Sequence, residues 1–162
     1  MTSKYTRAIA GRLVASLPEL PEPWSIEALC RDAARMRGRP LSVHAVTLRG
    51  LPSGLWYDDG VSDRIIHRAS ATGYYRDHII LHELCHILAG HGVPRPAVVA
   101  EMTRTGAAGR AEQGRARLCD SIEEEVAETF ASMVLRAAGQ RPPRDLSVTE
   151  RRAGELFGAS RA

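Results

Sequence analysis

The chain has 162 residues, 44% of them hydrophobic and 5% aromatic, with a formal net charge of +3. That length supports one domain with its own core and is too short for two comfortable ones, and so few aromatics argue against a base-stacking surface for single-stranded nucleic acid. The positive charge comes from arginines scattered through 31–39, 104–117 and 136–152 without a recognition motif beside them, so an ordinary arginine-rich surface is favoured over a DNA-binding one.

Met1 to Arg7 lead into an amphipathic segment rather than an apolar core, and no run of about 18 apolar residues follows. We therefore expect no signal peptide and no membrane span. Cys30, Cys85 and Cys119 cannot all pair, which fits a reducing, cytoplasmic setting. A first short helix is expected over Tyr5 to Leu17, ended by Pro18, with the proline-rich link 18–23 after it. Ser25 then caps a second helix running to about Arg37, with Ile26, Leu29, Cys30, Ala33 and Met36 on its apolar face and Gly38 as its stop. Three short strands follow at Leu41 to Leu48, Gly54 to Tyr57 and Arg64 to His67, separated by Pro52-Ser53-Gly54 and Asp58-Asp59-Gly60 turns. They are expected to form an antiparallel three-stranded meander. Its edge strand, beside the next helix, is a candidate to bind an extended substrate.

That next helix carries Asp77-His78-Ile79-Ile80-Leu81-His82-Glu83-Leu84-Cys85-His86-Ile87-Leu88. Turning about 100° per residue sets His86 about 40° from His82 and Glu83 about 100° from it, so the three side chains converge. Ile80, Leu81, Leu84, Ile87 and Leu88 fall on the opposite side, as a half-buried helix requires. Two neutral imidazoles one turn apart suit Zn2+, which takes nitrogen ligands at roughly 2.0–2.1 Å in a tetrahedral arrangement. Glu83 lies too far round to coordinate easily, yet can take a proton from water at the metal, which assigns it as general base. His78, one turn earlier, is a candidate to line the cleft or stabilise an oxyanion, though a surface histidine is favoured. Tyr74 and Tyr75 sit just before the helix, and either can offer a phenol to a tetrahedral intermediate. Cys85, about 60° from His82, reads as a small buried hydrophobe rather than a ligand.

A catalytic zinc site needs a third protein ligand. The long metzincin form places a glycine three and a histidine six residues after the second motif histidine, whereas Gly90 and His91 here lie four and five away. His91 therefore reads as a helix-end residue. The breaker-rich stretch 92–117 is expected to be a flexible connection with one short helix near Ala97 to Thr103, either a lid over the cleft or a plain connection. Beyond it, Asp120 to Leu135 reads as an amphipathic helix with Val126, Phe130, Met133 and Val134 along one stripe. Glu124 and Glu128 lie opposite that stripe and, four apart, can act as a pair: one carboxylate on the metal, the other fixing a ligand histidine's tautomer. Glu123 and Glu125 read as a solvated acidic helix start. A tail helix is expected over Val148 to Phe157, so that the domain comprises 1–24 as an N-terminal helix and link, the catalytic part, and 141–162 as a tail.

These elements resemble the ImmA/IrrE metallopeptidases, small gluzincin-like proteins with a helical HExxH and a later Glu-x-x-Ala-Asn-x-Phe-Ala helix. Here the two elements read His82 to His86 and Glu124-Glu125-Val126-Ala127-Glu128-Thr129-Phe130-Ala131. Matched by position, the resemblance implies His82, His86 and Glu124 as ligands of one Zn2+, Glu83 as catalytic base, and Glu128, in place of the usual asparagine, supporting a ligand from behind. It covers residues 25 to 138, with its specific content in the two motif helices. Two positions depart from the family: Cys85 stands where many relatives carry glycine and is expected to perturb the metal or make it oxidisable, and Met133-Val134-Leu135-Arg136 stands for Leu-Leu-Met-Pro.

The expectation is thus an α+β, small zincin-like domain: a zinc-dependent metalloendopeptidase whose resemblance implies a regulatory protein substrate, commonly a helix-turn-helix repressor. The rival is a regulator that does not cleave, or half of a toxin and antitoxin pair, binding a repressor partner or DNA. An intact Glu83 disfavours the rival, since a binder has no use for the base.

Overall fold

The computed structural model describes residues 3–47, 53–91 and 121–143. The expected connection over 92–117, the short helix near 97–103, the tail helix at 148–157, Cys119 and Leu48 lie outside them. Among the described residues are four helices and a three-stranded mixed sheet, an α+β arrangement.

Helix α1 runs Lys4–Ala15 and starts where Ser3, in extended backbone, accepts a hydrogen bond from the Thr6 N–H at 3.0 Å. Small buried residues, Thr6 and Ala10, let it lie close against the helix described last. Helix α2 runs Ile26–Arg37, capped by the Ser25 hydroxyl and stopped by Gly38 at φ 64°, a left-handed turn that costs a residue with a Cβ about 1 kcal/mol or more. Both boundaries match the expected ones because each is a short-range hydrogen-bonding event.

The strands β1 (Leu41–Val46), β2 (Gly54–Asp58) and β3 (Asp63–Arg68) form where expected, but the sheet order is β1-β3-β2. The antiparallel meander is therefore corrected: β1 pairs with β3 in parallel, Leu41 opposite Asp63, and only β2 and β3 are antiparallel, Gly54 opposite His67. The strands alternate in direction as a meander would. What changes is that β2 and β3 exchange places, so β3 becomes the central strand. Asp63 supplies the reason. It is buried and receives Arg37 and Arg39, from the segment just before β1, together with the Trp56 indole N–H of β2 at 3.3 Å. A buried carboxylate needs such partners, and gathering them from both sides requires its own strand to lie between the other two.

Helix α3 (Gly73–Ala89) and helix α4 (Ser121–Ala137) complete the fold. Helix α3 packs on β2 and β3 on one side and on α4 on the other, with α1 lying along α4. It is therefore not the half-buried helix its wheel suggests: His78, Ile79, Ile80, Leu81, Glu83, Leu84, Cys85, His86 and Ile87 are all buried. One set of buried side chains draws on every helix and on Ile65 of β3, and includes Phe130, Val126 and Leu135 of α4 with Ile80, Leu81 and Leu84 of α3. The Trp24 indole N–H donates to Asp77 at 2.8 Å and fastens the link ahead of α2 to α3. No helix among the described residues is long and apolar enough to cross a membrane.

Candidate metal centre

The helical repeat puts His82 and His86 one above the other on the side of α3 that faces α4. Their ring centroids are 4.8 Å apart and their Nε2 atoms 3.1 Å apart. The first turn of α4 brings in Glu124, with Oε2 3.2 Å from His82 Nε2 and Oε1 3.5 Å from His86 Nε2. All three ligand atoms lie within 4.8 Å of one another. Donors on a tetrahedral ion with bonds of roughly 2.0–2.1 Å stand about 3.4 Å apart; the two Nε2 atoms are close to that spacing, and the Glu124 carboxylate meets one imidazole through each of its oxygens, so the three side chains converge on one place. Two neutral imidazoles and a carboxylate are also a donor set that divalent transition metals accept, so these residues can hold a metal ion. His86 lies deep while the side chains of His82 and Glu124 are 16% and 41% exposed, which leaves the centre open to solvent on one side.

Glu83 is not among the converging donors. It points to the sheet side of α3, is only 3% exposed, and lies against the backbone of Gly54 in β2. A Cβ placed on Gly54 would stand 2.9 Å from Glu83 Oε1 and 2.5 Å from Ile79 Cγ2. Glycine is required there by proximity. That requirement was not visible in the sequence, where Gly54 reads as the end of a turn and the start of a strand.

The side chains behind the ligands are arranged unevenly. Glu128 of α4 sits between two histidines, its Oε1 3.4 Å from His78 Nε2 and its Oε2 3.9 Å from His82 Nδ1. His78 is not the surface residue it was expected to be: it is 4% exposed, its Nε2 is 3.4 Å from the Ser132 hydroxyl, and the Tyr74 ring lies 6.1 Å away, centroid to centroid. Its burial follows from α4 crossing that face, which a single helical wheel cannot register. Tyr74 and Tyr75 are corrected from a position ahead of the helix to its first turn, where their rings meet edge to face at 5.8 Å. Tyr75 is buried in the core.

By the metzincin offset, His91 reads as a helix-end residue and not as a ligand. It does follow the helix end, yet its Nδ1 lies 3.2 Å from His86 Nδ1, the ring nitrogen that faces away from the metal donors. The signal available in the sequence was Gly90, a left-handed stop that folds the next residue back over the last turn. Cys85 is fully buried, and burial, reinforced by Glu124 and Glu83, pushes its thiol up to about 12. It is a neutral thiol packed in the core, so the perturbed or oxidisable metal expected from this substitution is not supported by its surroundings. Glu125, expected to be solvated, accepts the Ser3 N–H at 3.0 Å and ties the start of α1 to α4.

No protein-family model matches the chain, and no curated protein matches it.

Proposed function

We propose that the protein is a zinc-dependent metalloendopeptidase of the zincin type, similar in its two motif helices to the ImmA/IrrE peptidases and acting in the cytoplasm on a regulatory protein such as a helix-turn-helix repressor. The observation that carries this reading is the meeting of His82 Nε2, His86 Nε2 and the Glu124 carboxylate, from helices separated by a long stretch of chain, at spacings that suit a single ion.

His82, His86 and Glu124 would hold a zinc ion, which when bound would supply a water acidified toward a pKa of about 7 and polarisation of a carbonyl. The protein's own residues do the rest. Glu83, next to the first ligand in sequence, takes the proton from the attacking water and returns it to the leaving amine. Its seat between α3 and β2 keeps it fixed relative to the helix that carries both imidazoles. Glu128 faces the Nδ1 side of His82 at 3.9 Å, where its charge favours a proton on that nitrogen. Strand β2, lying against α3 at Gly54, is the strand beside which an extended peptide would pass Glu83.

The test is metal analysis of the wild type beside Glu124→Ala, Glu125→Ala and Glu128→Ala, together with hydrolysis by wild type and Glu83→Gln of casein and of helix-turn-helix repressor candidates. Glu124→Ala alone should release zinc. Glu83→Gln should keep zinc and lose about 10²- to 10⁴-fold in cleavage. Zinc released only by Glu125→Ala would move the ligand register, and equal cleavage by Glu83→Gln would remove the peptidase reading in favour of a binding protein.

A further inference from the structure

A histidine that binds a metal through one ring nitrogen is held in place by what the other nitrogen meets, and such partners are worth ten- to a hundred-fold in metal affinity. On His82 that side faces Glu128. On His86 it faces His91, with the two Nδ1 atoms 3.2 Å apart and the rings steeply inclined at 64°. The approach is not an accident of two loose side chains. Gly90 takes a left-handed turn at φ 67°, and the N–H groups of Gly90 and His91 both donate to the carbonyl of His86, the latter at 3.0 Å. The helix end therefore folds back on His86 itself, and both the backbone and the side chain of His91 are directed at that one residue.

We infer that His91 is a positioning residue for the metal centre: it accepts a hydrogen bond from His86 Nδ1 and so fixes the tautomer and ring plane in which His86 Nε2 is free to bind the ion. The inference rests on the metal-centre reading above. For His86 to bind through Nε2 while neutral, its proton must sit on Nδ1, and that proton needs an acceptor because His86 is buried. His91 Nδ1 is placed to accept it, which puts the His91 proton on Nε2. With this acceptor missing, the alternative tautomer, protonated on Nε2 and unable to coordinate, is no longer disfavoured. The spacing from the second motif histidine thus matters for a different reason than in enzymes where the later histidine is itself a ligand: Gly90 and His91 lie too close to reach the ion and close enough to reach behind its ligand.

The experiment uses the full chain as wild type, His91→Leu, His91→Asn and His86→Ala. Leucine keeps the approximate shape and removes the acceptor; asparagine keeps both shape and an acceptor oxygen near the place of Nδ1. Zinc affinity is measured by competition with a chromophoric chelator, coordination by the visible absorption of the Co2+ form, and metal-free thermal stability alongside. His91→Leu should bind zinc about ten- to a hundred-fold more weakly with an altered cobalt spectrum, His91→Asn should recover most of both, and the metal-free melting points should agree. Unchanged affinity in His91→Leu, failure of asparagine to recover it, or a metal-free melting point that falls in step with affinity would each overturn the inference while leaving the metal centre intact. If the wild type binds zinc no better than His86→Ala, the metal centre itself is wrong and the inference goes with it.

Discussion

Facing α4, helix α3 offers two imidazoles that reach across a helix pair to a carboxylate from another part of the chain; facing the sheet, the same helix offers Glu83, pressed against a strand with no side chain at the point of contact. The first side is assembled from long side chains, is partly open, and depends on what each residue carries. The second is closed, and depends on what Gly54 lacks. On the proposed reading, the side chains that would hold an ion and the carboxylate that would take a proton have different neighbours on this helix.

Substituting Gly54 is the sharpest way to break the sheet side alone. In Gly54→Ala the added Cβ meets Ile79 and the Glu83 carboxylate, so Glu83, the proposed base, must shift. We expect about 10²-fold slower hydrolysis, since a displacement near 1 Å is enough for that, with the overpacking destabilising the fold by about 1–3 kcal/mol. Zinc content should stay at the wild-type level. Loss of zinc in parallel with activity would show that the two sides of α3 cannot be altered separately.

A weaker effect tests how dry the interior between those sides is. Burial, reinforced by Glu27 and Asp77 for Cys30 and by Glu124 and Glu83 for Cys85, raises both thiols from 9.0 to about 12. The folded protein keeps these protons where the unfolded chain releases them, so their contribution is complete below about pH 9 and is lost as pH rises toward 12. Urea midpoints should fall over that window, and the Cys30→Ala/Cys85→Ala variant should show a flatter fall. A midpoint that declines equally in that variant would place the alkaline loss elsewhere.

The smallest expected effect concerns a neighbour of the third ligand. Glu125 accepts the Ser3 N–H at an exposed position, so Glu125→Ala should cost about 0.5–1 kcal/mol in chemical denaturation and leave zinc affinity unchanged. Set beside Glu124→Ala, it contrasts a carboxylate proposed to hold an ion with one that serves the packing of α1.

Much of this arrangement was legible because the signals are local. Ser25 and Gly38 mark the ends of α2 through hydrogen bonds and a left-handed turn made within a few residues. The heptad-scale pattern of α4 placed Val126, Phe130 and Val134 inside and Glu124 on the opposite side, and the spacing of His82 and His86 put both on one face. The metal-ligand candidates could be named because each helix presents its own set independently of the other.

What the amino-acid order alone determined, then, is the set of elements and the face on which each carries its chemistry: periodicity and capping act over a few residues and need no partner. The tertiary structure decided the rest. The sheet order β1-β3-β2 follows from where buried Asp63 finds its two arginines and Trp56, which lie on different segments. The burial of His78, the seat of Glu83 on Gly54 and the contact of His91 with His86 exist only once helices and strands are laid against one another. Each depends on a distance between residues that no repeat in the chain encodes.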